Sequence, residues 1–322
     1  MMPLSWDEPI SEELLMVENE IRRNVQSQQE MLTEISMHII GSGGKRIRPG
    51  VSLLAYHAVG GQKPDEIIGI AAAFEIIHSA TLIHDDINDG GHTRRGVVTA
   101  YRKYGVQQAL IAGDFLFVKG FRLGGSLGQE LVDVIADACT GMAESEILQG
   151  QYEKNPSTSL DVYIKIIKGK TAKPFEAGAR TGATLGGGSS EQVNALGLFG
   201  LNLGIAFQII DDILDITGDA SVLGKPRGMD FLEGKPTLPL ILALNNGCNG
   251  LRLKELFVKK EKDTEEIEEV LEYLSHSDVL EEARRYARTY ASNAVDSLDI
   301  IAESEYKEAL IKLADKVVKR NF

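Results

Sequence analysis

The segments LIHDDINDGGHTRRG (82–96) and QIIDDILDITGD (208–219) each carry the pattern D-D-x-x-D. Asp85, Asp86 and Asp89 form the first cluster, and Asp211, Asp212 and Asp215 the second. On a helix, positions i and i+4 share a face and i+1 lies about 100° round the axis. Asp85 and Asp89 therefore point together with Asp86 to the side, and Asp211, Asp215 and Asp212 repeat that layout. Gly90–Gly91 follow the first cluster directly and Gly218 stands three positions after Asp215, so each cluster is expected to close its helix. A helix C-terminus already carries partial negative charge and disfavours each nearby carboxylate by about 0.3–1 kcal/mol. A chain that breaks this rule twice does so for function, and a divalent cation would resolve the repulsion. Ligands that are all oxygen favour a hard ion. Mg2+ takes one or two carboxylates together with substrate phosphates rather than a full protein cage. Neither cluster has the alternating ligands and closing Glu of an EF-hand. The bland alternative is two solvated acidic helix ends.

A metal-bound polyphosphate also needs cations from the protein. Lys45, Arg46 and Arg48 sit in GSGGKRIRPG (41–50), a glycine-rich loop ahead of a helix that does not match the Walker pattern. Arg94 and Arg95 lie just past the first aspartates. Lys170 and Lys173 belong to GKTAK (169–173), and Lys225, Arg227, Asp230 and Lys235 to GKPRGMDFLEGKPTLP (224–239). Arginine offers a planar fork to phosphate oxygens and lysine a point charge. Each group taken singly is an ordinary surface charge. Placed beside both aspartate clusters, they imply two anionic ligands side by side, one held through metal and one directly. His78, seven positions before Asp85 on roughly the same face, is either a core imidazole or a donor to phosphate. His84 is a candidate to support the aspartates from behind. No Ser-His-Asp or Cys-His arrangement and no nucleotide-binding glycine fingerprint can be read.

The elements that must position these groups are helical. EEIEEVLEYL (265–274) sets Ile267, Val270, Leu271 and Leu274 on one face. Ser189 and Gln192 form a capping box ahead of the apolar run Ala195–Ile210. Pro64 and Asp65 mark the start of the helix that ends on the first aspartates. No alternating strand and no strand-flanked Asn-Gly or Asp-Gly hairpin is found. The irregular stretches are Gly41–Pro49, Gly90–Thr99, Glu153–Ser159 and Gly218–Pro236, and none is a linker that would divide two domains. The expectation is an all-α fold, residues 1–322 as a single domain of about ten or more helices around a central cavity, with the functional loops gathered at one end.

Composition narrows the partners. The chain has 322 residues, 43% of them apolar, and a formal net charge of −13, which argues against nucleic acid and anionic membrane surfaces. The two cysteines, Cys139 and Cys248, lie too far apart in sequence for a zinc spacing and suit a reducing cytoplasm. The N-terminal MMPLSWDEPISEELL is acidic where a signal peptide would be basic and apolar. The run Ala195–Ile210 is shorter than a bilayer span and ends on aspartates, so no transmembrane segment is expected.

From Gly43 to Pro239 the motifs GGKRIRP, IHSATLIHDDINDGGHTRRG, GKTA, FQIIDDILDITGD and GKPRGMDFLEGKPTLPLI occur in a familiar order. The chain resembles the all-trans polyprenyl (isoprenyl) diphosphate synthases, in particular those that make geranylgeranyl diphosphate. That resemblance implies an all-α homodimeric enzyme that condenses isopentenyl diphosphate head-to-tail with an allylic diphosphate. It implies Mg2+ at Asp85, Asp86, Asp89, Asp211 and Asp212, with Asp215 assisting. It implies Arg94, Lys170, Lys225 and Lys235 on the allylic diphosphate, and Lys45, Arg48, His78 and Arg95 on isopentenyl diphosphate. Thr171 and Gln208 match positions that face the reacting carbons. Asp85, Asp86, Lys170, Asp211 and Lys225 are the expected catalytic set. The C-terminal VKRNF offers Arg320 as a candidate phosphate contact, but the match is too weak to assign it.

The same resemblance makes the Asp85 helix a wall of the pocket for the growing chain. Thr81, Ala80, Ile77 and Phe74 stand four, five, eight and eleven positions before Asp85. Bulky aromatics near the first two close the pocket in fifteen-carbon synthases, whereas Ala80 and Thr81 leave it open. Phe74 is about 16 Å along the helix, room for about three or four isoprene repeats. Phe115 and Phe117 are candidates to close the pocket from the opposite side. A product of twenty carbons or somewhat more is expected. Two other readings remain: a class I terpene cyclase, which needs only one diphosphate site, and a catalytically silent subunit that binds prenyl diphosphates.

Overall fold

The structure, a computed structural model, describes residues 5–125, 128–218, 226–245 and 250–320. After a short 3-10 turn at Glu8–Ile10 the chain runs through α1 (Ser11–Asn24), α2 (Glu30–Gly41), α3 (Ile47–Ala58) and the long α4 (Asp65–Asn88). Then come α5 (Ala100–Tyr104), α6 (Val106–Gly124), α7 (Gln129–Tyr152), α8 (Leu160–Ile167), α9 (Lys173–Leu185) and the 28-residue α10 (Ser190–Thr217). The C-terminal part holds α11 (Met229–Glu233), α12 (Leu238–Asn245), α13 (Gly250–Val258), α14 (Thr264–Ser275), α15 (Val279–Asp296) and α16 (Glu305–Val318). The all-α expectation holds, with more segments than ten because short helices interrupt the loops.

Helices α4 and α10 form the centre. α4 is apolar nearly all round, which suits a helix enclosed by others rather than one with a wet face. It packs on α3 and α6, and α10 packs on α9 and α15. Glycines permit the closest crossings. A Cβ on Gly182 of α9 would stand 2.2 Å from the Ser52 carbonyl oxygen of α3, and one on Gly200 of α10 would stand 2.5 Å from the Phe175 carbonyl oxygen of α9. The Ser189–Gln192 capping box is formed at the start of α10. A second box, Asp263 with Glu266, starts α14, whose Val270, Leu271 and Leu274 are buried.

The strand-free expectation fails at one place. Thr93–Arg94 (β1) pairs antiparallel with Val97–Val98 (β2). Arg95 (φ 51°) and Gly96 (φ 78°) connect them. Positive φ at both central residues is the two-residue turn whose twist suits a hairpin. Arginine rarely takes that conformation, so only Gly96 signalled it.

By length and composition α4 and α10 could each cross a bilayer, so the shortness of Ala195–Ile210 is not what argues against a span. Of their most apolar windows, 78% and 61% are buried against other parts of the chain.

His57 near the end of α3 ties down the N-terminal helix. Its Nε2 lies 2.7 Å from Glu13 Oε1 of α1, and its ring stacks on Tyr306 of α16. Burial alone would lower the imidazole pKa, but the hydrogen bond and charge of Glu13 outweigh it and the pKa is raised. A group whose folded pKa exceeds its unfolded value contributes stability that is full below the unfolded pKa and lost as pH rises through the folded one. The difference in melting temperature between the protein and Glu13→Gln is therefore expected to be largest below about pH 6.5 and to shrink above it. Thermal unfolding at a series of pH values checks this, and a difference that grows with pH would contradict the assignment.

Candidate active site

The C-terminal ends of α4 and α10 meet at one cavity of about 1060 Å3. Asp85, Asp86 and Asp89 enter it from the first helix and Asp211 and Asp215 from the second. α4 stops as its sequence implies. Asp89 is the last residue of the turn, Gly90 takes a φ of 66°, and the Gly90 and Gly91 amides donate to the carbonyls of Ile87 and Asp86. Those two bonds are the glycine-terminated cap that leaves the aspartates at the very end of the helix.

Most of the carboxylates are matched with cations. Arg94 Nε donates to Asp86 Oδ1 at 2.7 Å, Lys235 Nζ to Asp89 Oδ1 at 2.9 Å, and Arg320 Nη1 to Asp211 Oδ1 at 3.0 Å. Lys170 Nζ lies 2.5 Å from Glu146 Oε2. Asp215 Oδ2 accepts the Asp230 amide at 3.1 Å and so fixes the start of α11. Burial raises the pKa of Asp85 and of Asp86, against the pull of Lys170 on the first and Arg94 on the second. Burial also works against the charge of Lys235, but Asp89, Glu233 and Asp230 together raise its pKa.

Asp212 is set apart from the rest of its cluster. It is buried beside a smaller cavity that does not include Asp211 or Asp215. Tyr163 donates to its Oδ2 at 2.6 Å and Gln208 Nε2 to its Oδ1 at 2.8 Å. Thr171 donates in turn to Gln208 Oε1 at 2.7 Å. Burial, with Asp230 nearby, raises the Asp212 pKa. Its D-D-x-x-D position matches that of Asp86, yet its two oxygens serve Tyr163 and Gln208.

Lys170 and Thr171 reach the main cavity from a π-helical turn, Lys168–Ala172, between α8 and α9. Such wide turns insert one extra residue and recur at functional sites. The basic loop behaves differently. Lys45, Arg46 and Arg48 line the same cavity, as do His78 and Arg95. Partial burial and the Arg320 guanidinium bring the Lys45 pKa down to about 8. Arg48 lies over the Phe175 ring, 5.0 Å from its centroid. His78 is held neutral: burial and then the charges of Arg48 and Arg95 lower its pKa well below the ordinary value. Lys225 lies outside the described residues.

Phe74, Ile77 and Thr81 of α4 line the cavity, and Ala80 does not. Phe115 and Phe117 do not line it either. Phe115 lies under the Lys119 ammonium, and Phe117 stacks on His84, which points to α6 rather than to the aspartates. Packing explains the miss. A Cβ on Gly113 would sit 2.1 Å from His84 Nε2 and one on Gly120 2.5 Å from Ile77 Cγ1. α6 is thus pressed against α4 with no space between them. The facing wall comes instead from Ile135, Ala138, Cys139 and Met142 of α7.

Sequence reading also missed Glu75, Glu146, Tyr163 and Glu233, which lie outside the quoted aspartate patterns. Arg320 was noticed but not assigned, and it lines the cavity.

The donors suit a hard cation. Asp86 Oδ2 is buried with no hydrogen-bond partner. Among the described residues, no three acidic, imidazole or thiol side chains converge on a point that would hold a metal alone. An ion here would complete its shell with oxygens from elsewhere, as Mg2+ does with substrate phosphates. Asp85, Asp86 and Asp89 would hold it on one side and Asp211 and Asp215 on the other.

Comparison with known proteins agrees with this picture. The sequence profile of the Polyprenyl synthetase family matches residues 29–274. The chain is 36% identical over 308 residues to an octaprenyl diphosphate synthase of Haemophilus influenzae, covering 95% of this chain and 93% of that one. It is 35% identical to a geranylgeranyl diphosphate synthase of Methanosarcina mazei, covering 91% of each. A crystal structure of a polyprenyl synthase from Caulobacter crescentus CB15, in complex with calcium and isoprenyl diphosphate, superposes with a TM-score of 0.94. It is 34% identical and the match covers 98% of this chain and 97% of that one.

Proposed function

This chain belongs to the polyprenyl synthetase family and is a trans-prenyl diphosphate synthase, and from that premise we propose that it uses Mg2+ to join isopentenyl diphosphate to an allylic diphosphate, giving a product of about twenty carbons or somewhat more. The observation that carries this reading is one cavity lined by aspartates of both helices and by cations from several separate segments, Lys45 to Arg48, Arg94 and Arg95, Lys170, and Lys235.

The chemistry follows from what these residues can do. Arg94, Lys170 and Lys235 receive the allylic diphosphate, with Lys225 expected to join them. Lys45, Arg48, Arg95 and neutral His78 receive isopentenyl diphosphate, His78 as a hydrogen-bond donor. Bound Mg2+ supplies charge neutralisation at the diphosphate that departs. The protein cations, once drawn from their carboxylate partners to the bound diphosphate, stabilise the same developing charge. The two substrates are held side by side, so the double bond of one meets the allylic carbon of the other as that carbon loses its diphosphate. The proton lost afterwards goes to the released diphosphate, and no dedicated protein base is needed. Thr171 and Gln208, bonded to each other, stand beside the reacting carbons. Ile77, Met142 and Phe207 line the same cavity and keep water from the cationic centre.

The names of the relatives differ in product length, so length is read from the cavity. Phe74 lies about 16 Å along α4 from Asp85 and is the large side chain of α4 furthest from the aspartates to line the space. Phe74→Ala is expected to lengthen the main product by one or two five-carbon units. Product analysis after dephosphorylation checks this, and an unchanged distribution counts against Phe74 as the floor. We further propose a homodimer, which the exposed Leu110, Ile111 and Val118 of α6 support as a surface for a second copy. A cytoplasmic location, suited to the sparse cysteines, completes the proposal.

One assay separates this reading from the others. Purified protein is incubated with Mg2+, labelled isopentenyl diphosphate and allylic primers of two lengths, with and without chelator. Incorporation that chelator abolishes supports condensation. A cyclic hydrocarbon without incorporation would point to a terpene cyclase, against which the second cation group already speaks. Ligand binding with neither outcome would point to a silent subunit, against which the six intact aspartates speak.

A further inference from the structure

Glu75 stands on α4 three residues before His78 and is 4% exposed. No step described above uses it, and a carboxylate is rarely buried unless paired. Its Oε1 accepts from Arg46 Nη1 at 2.5 Å. The Arg46 guanidinium also donates through Nε to Glu18 of α1 and through Nη2 to the Ile40 carbonyl at 3.1 Å. All three nitrogens of Arg46 are therefore turned to the protein, although the residue sits between Lys45 and Arg48 in the basic loop. Its backbone pays for this with a left-handed conformation, φ 49° and ψ 37°, which a long side chain adopts only when its surroundings hold it there.

The loop is crowded with like charge. A Cβ on Gly44 would lie 3.0 Å from Arg95 Nη1 and 3.1 Å from Arg46 Nη1, so two guanidiniums converge on one glycine. Burial and mutual repulsion work against the charges of Arg48 and Arg95, and Glu75 is the foremost acid opposing that in both. One buried anion thus faces Arg46, Arg48 and Arg95, which come from two different segments of the chain.

We infer that Glu75 is a positioning residue: through Arg46 and by its own charge it assembles Arg48 and Arg95 into a ready-made receptor for the isopentenyl diphosphate head group. The inference rests on the condensation reading above. It also predicts a sign that plain electrostatics does not. Removing an anion near a diphosphate site should by charge alone tighten binding, whereas removing the group that orders the receptor should loosen it.

Glu75→Gln keeps shape and hydrogen-bond acceptor and removes the charge. The expected result is a KM for isopentenyl diphosphate raised tenfold or more, with the KM for the allylic primer and the saturated kcat each within about threefold. Glu18→Gln breaks the same network from the α1 side, far from the reacting carbons, and should give the same split in weaker form. It serves as the second test if Glu75→Gln folds poorly. A lowered KM for isopentenyl diphosphate in either variant overturns the inference, because Glu75 would then merely repel the substrate. Equal changes in both KM values together with a lowered melting temperature also overturn it, because the role would be structural. Absence of any condensation by the unaltered protein is a different failure and strikes at the proposed function itself.

Discussion

Asp85→Asn is expected to lower kcat by about 10²–10³ while leaving the KM for isopentenyl diphosphate within a few fold. Asparagine preserves volume and loses only charge, so the effect isolates the carboxylate. Asp85 lies at the negative end of α4, close to Asp89 and Glu146, and burial raises its pKa. All of this makes the ionised form costly in the protein alone. The same substitution is therefore expected to leave the melting temperature unchanged or raise it in the absence of metal and substrate. Loss of activity with gain of stability is the signature of a group kept for chemistry. Steady-state kinetics at saturating substrate and thermal unfolding in chelator test the two halves. A kcat within tenfold of the unaltered enzyme would remove Asp85 from the metal site.

Gly169→Ala should damage the enzyme by a different route. A Cβ there would stand 1.9 Å from Ser145 Oγ and 2.7 Å from the Gly141 carbonyl oxygen, both on α7. The serine could turn away, but the carbonyl belongs to a helix backbone and cannot. Overpacking of this kind costs about 1–3 kcal/mol. The more telling effect is on function, because Gly169 is in the same π-helical turn as Lys170 and Thr171. Moving that turn off α7 displaces the Lys170 ammonium within the cavity and disturbs the Thr171–Gln208–Asp212 chain of hydrogen bonds. Activity is expected to fall at least a hundredfold even at temperatures where the variant stays folded. Ser145→Ala combined with Gly169→Ala should recover stability only in part, since the Gly141 carbonyl remains. Near-normal turnover in the single variant would mean that the position of this turn does not set the rate.

What could be read from the sequence was what is local. The aspartates, the glycines that end α4 and the capping box of α10 are contiguous patterns whose physics is contained within a turn or two of helix. They appear where expected. Contacts between distant helices were not legible in the same way. Phe115 and Phe117 were assigned to the pocket because both are large and apolar on a neighbouring helix, but spacing does not say which side of α4 is empty. A signal was present: Gly113 and Gly120 lie seven positions apart, on one face of α6, and small residues so placed mark close approach to another helix. Asp212 and Asp86 have the same place in the same motif. They differ only in what packs beside them, a tyrosine and a glutamine in one case and an arginine in the other. Glu75 carried no motif at all, and its meaning comes from three arginines that the fold brings to it.

The pairing of Arg94 with Asp86, Lys235 with Asp89 and Arg320 with Asp211 bears on how such a site fills. On the proposed reading a divalent ion would take each of these aspartates from its arginine or lysine, and a diphosphate would take each arginine or lysine from its aspartate. Neither exchange is favourable alone, because it strands a charge, but the two together leave every group with a new counterpart. Uptake of metal and of the anionic substrate would therefore be thermodynamically linked, each strengthening the other by the same factor.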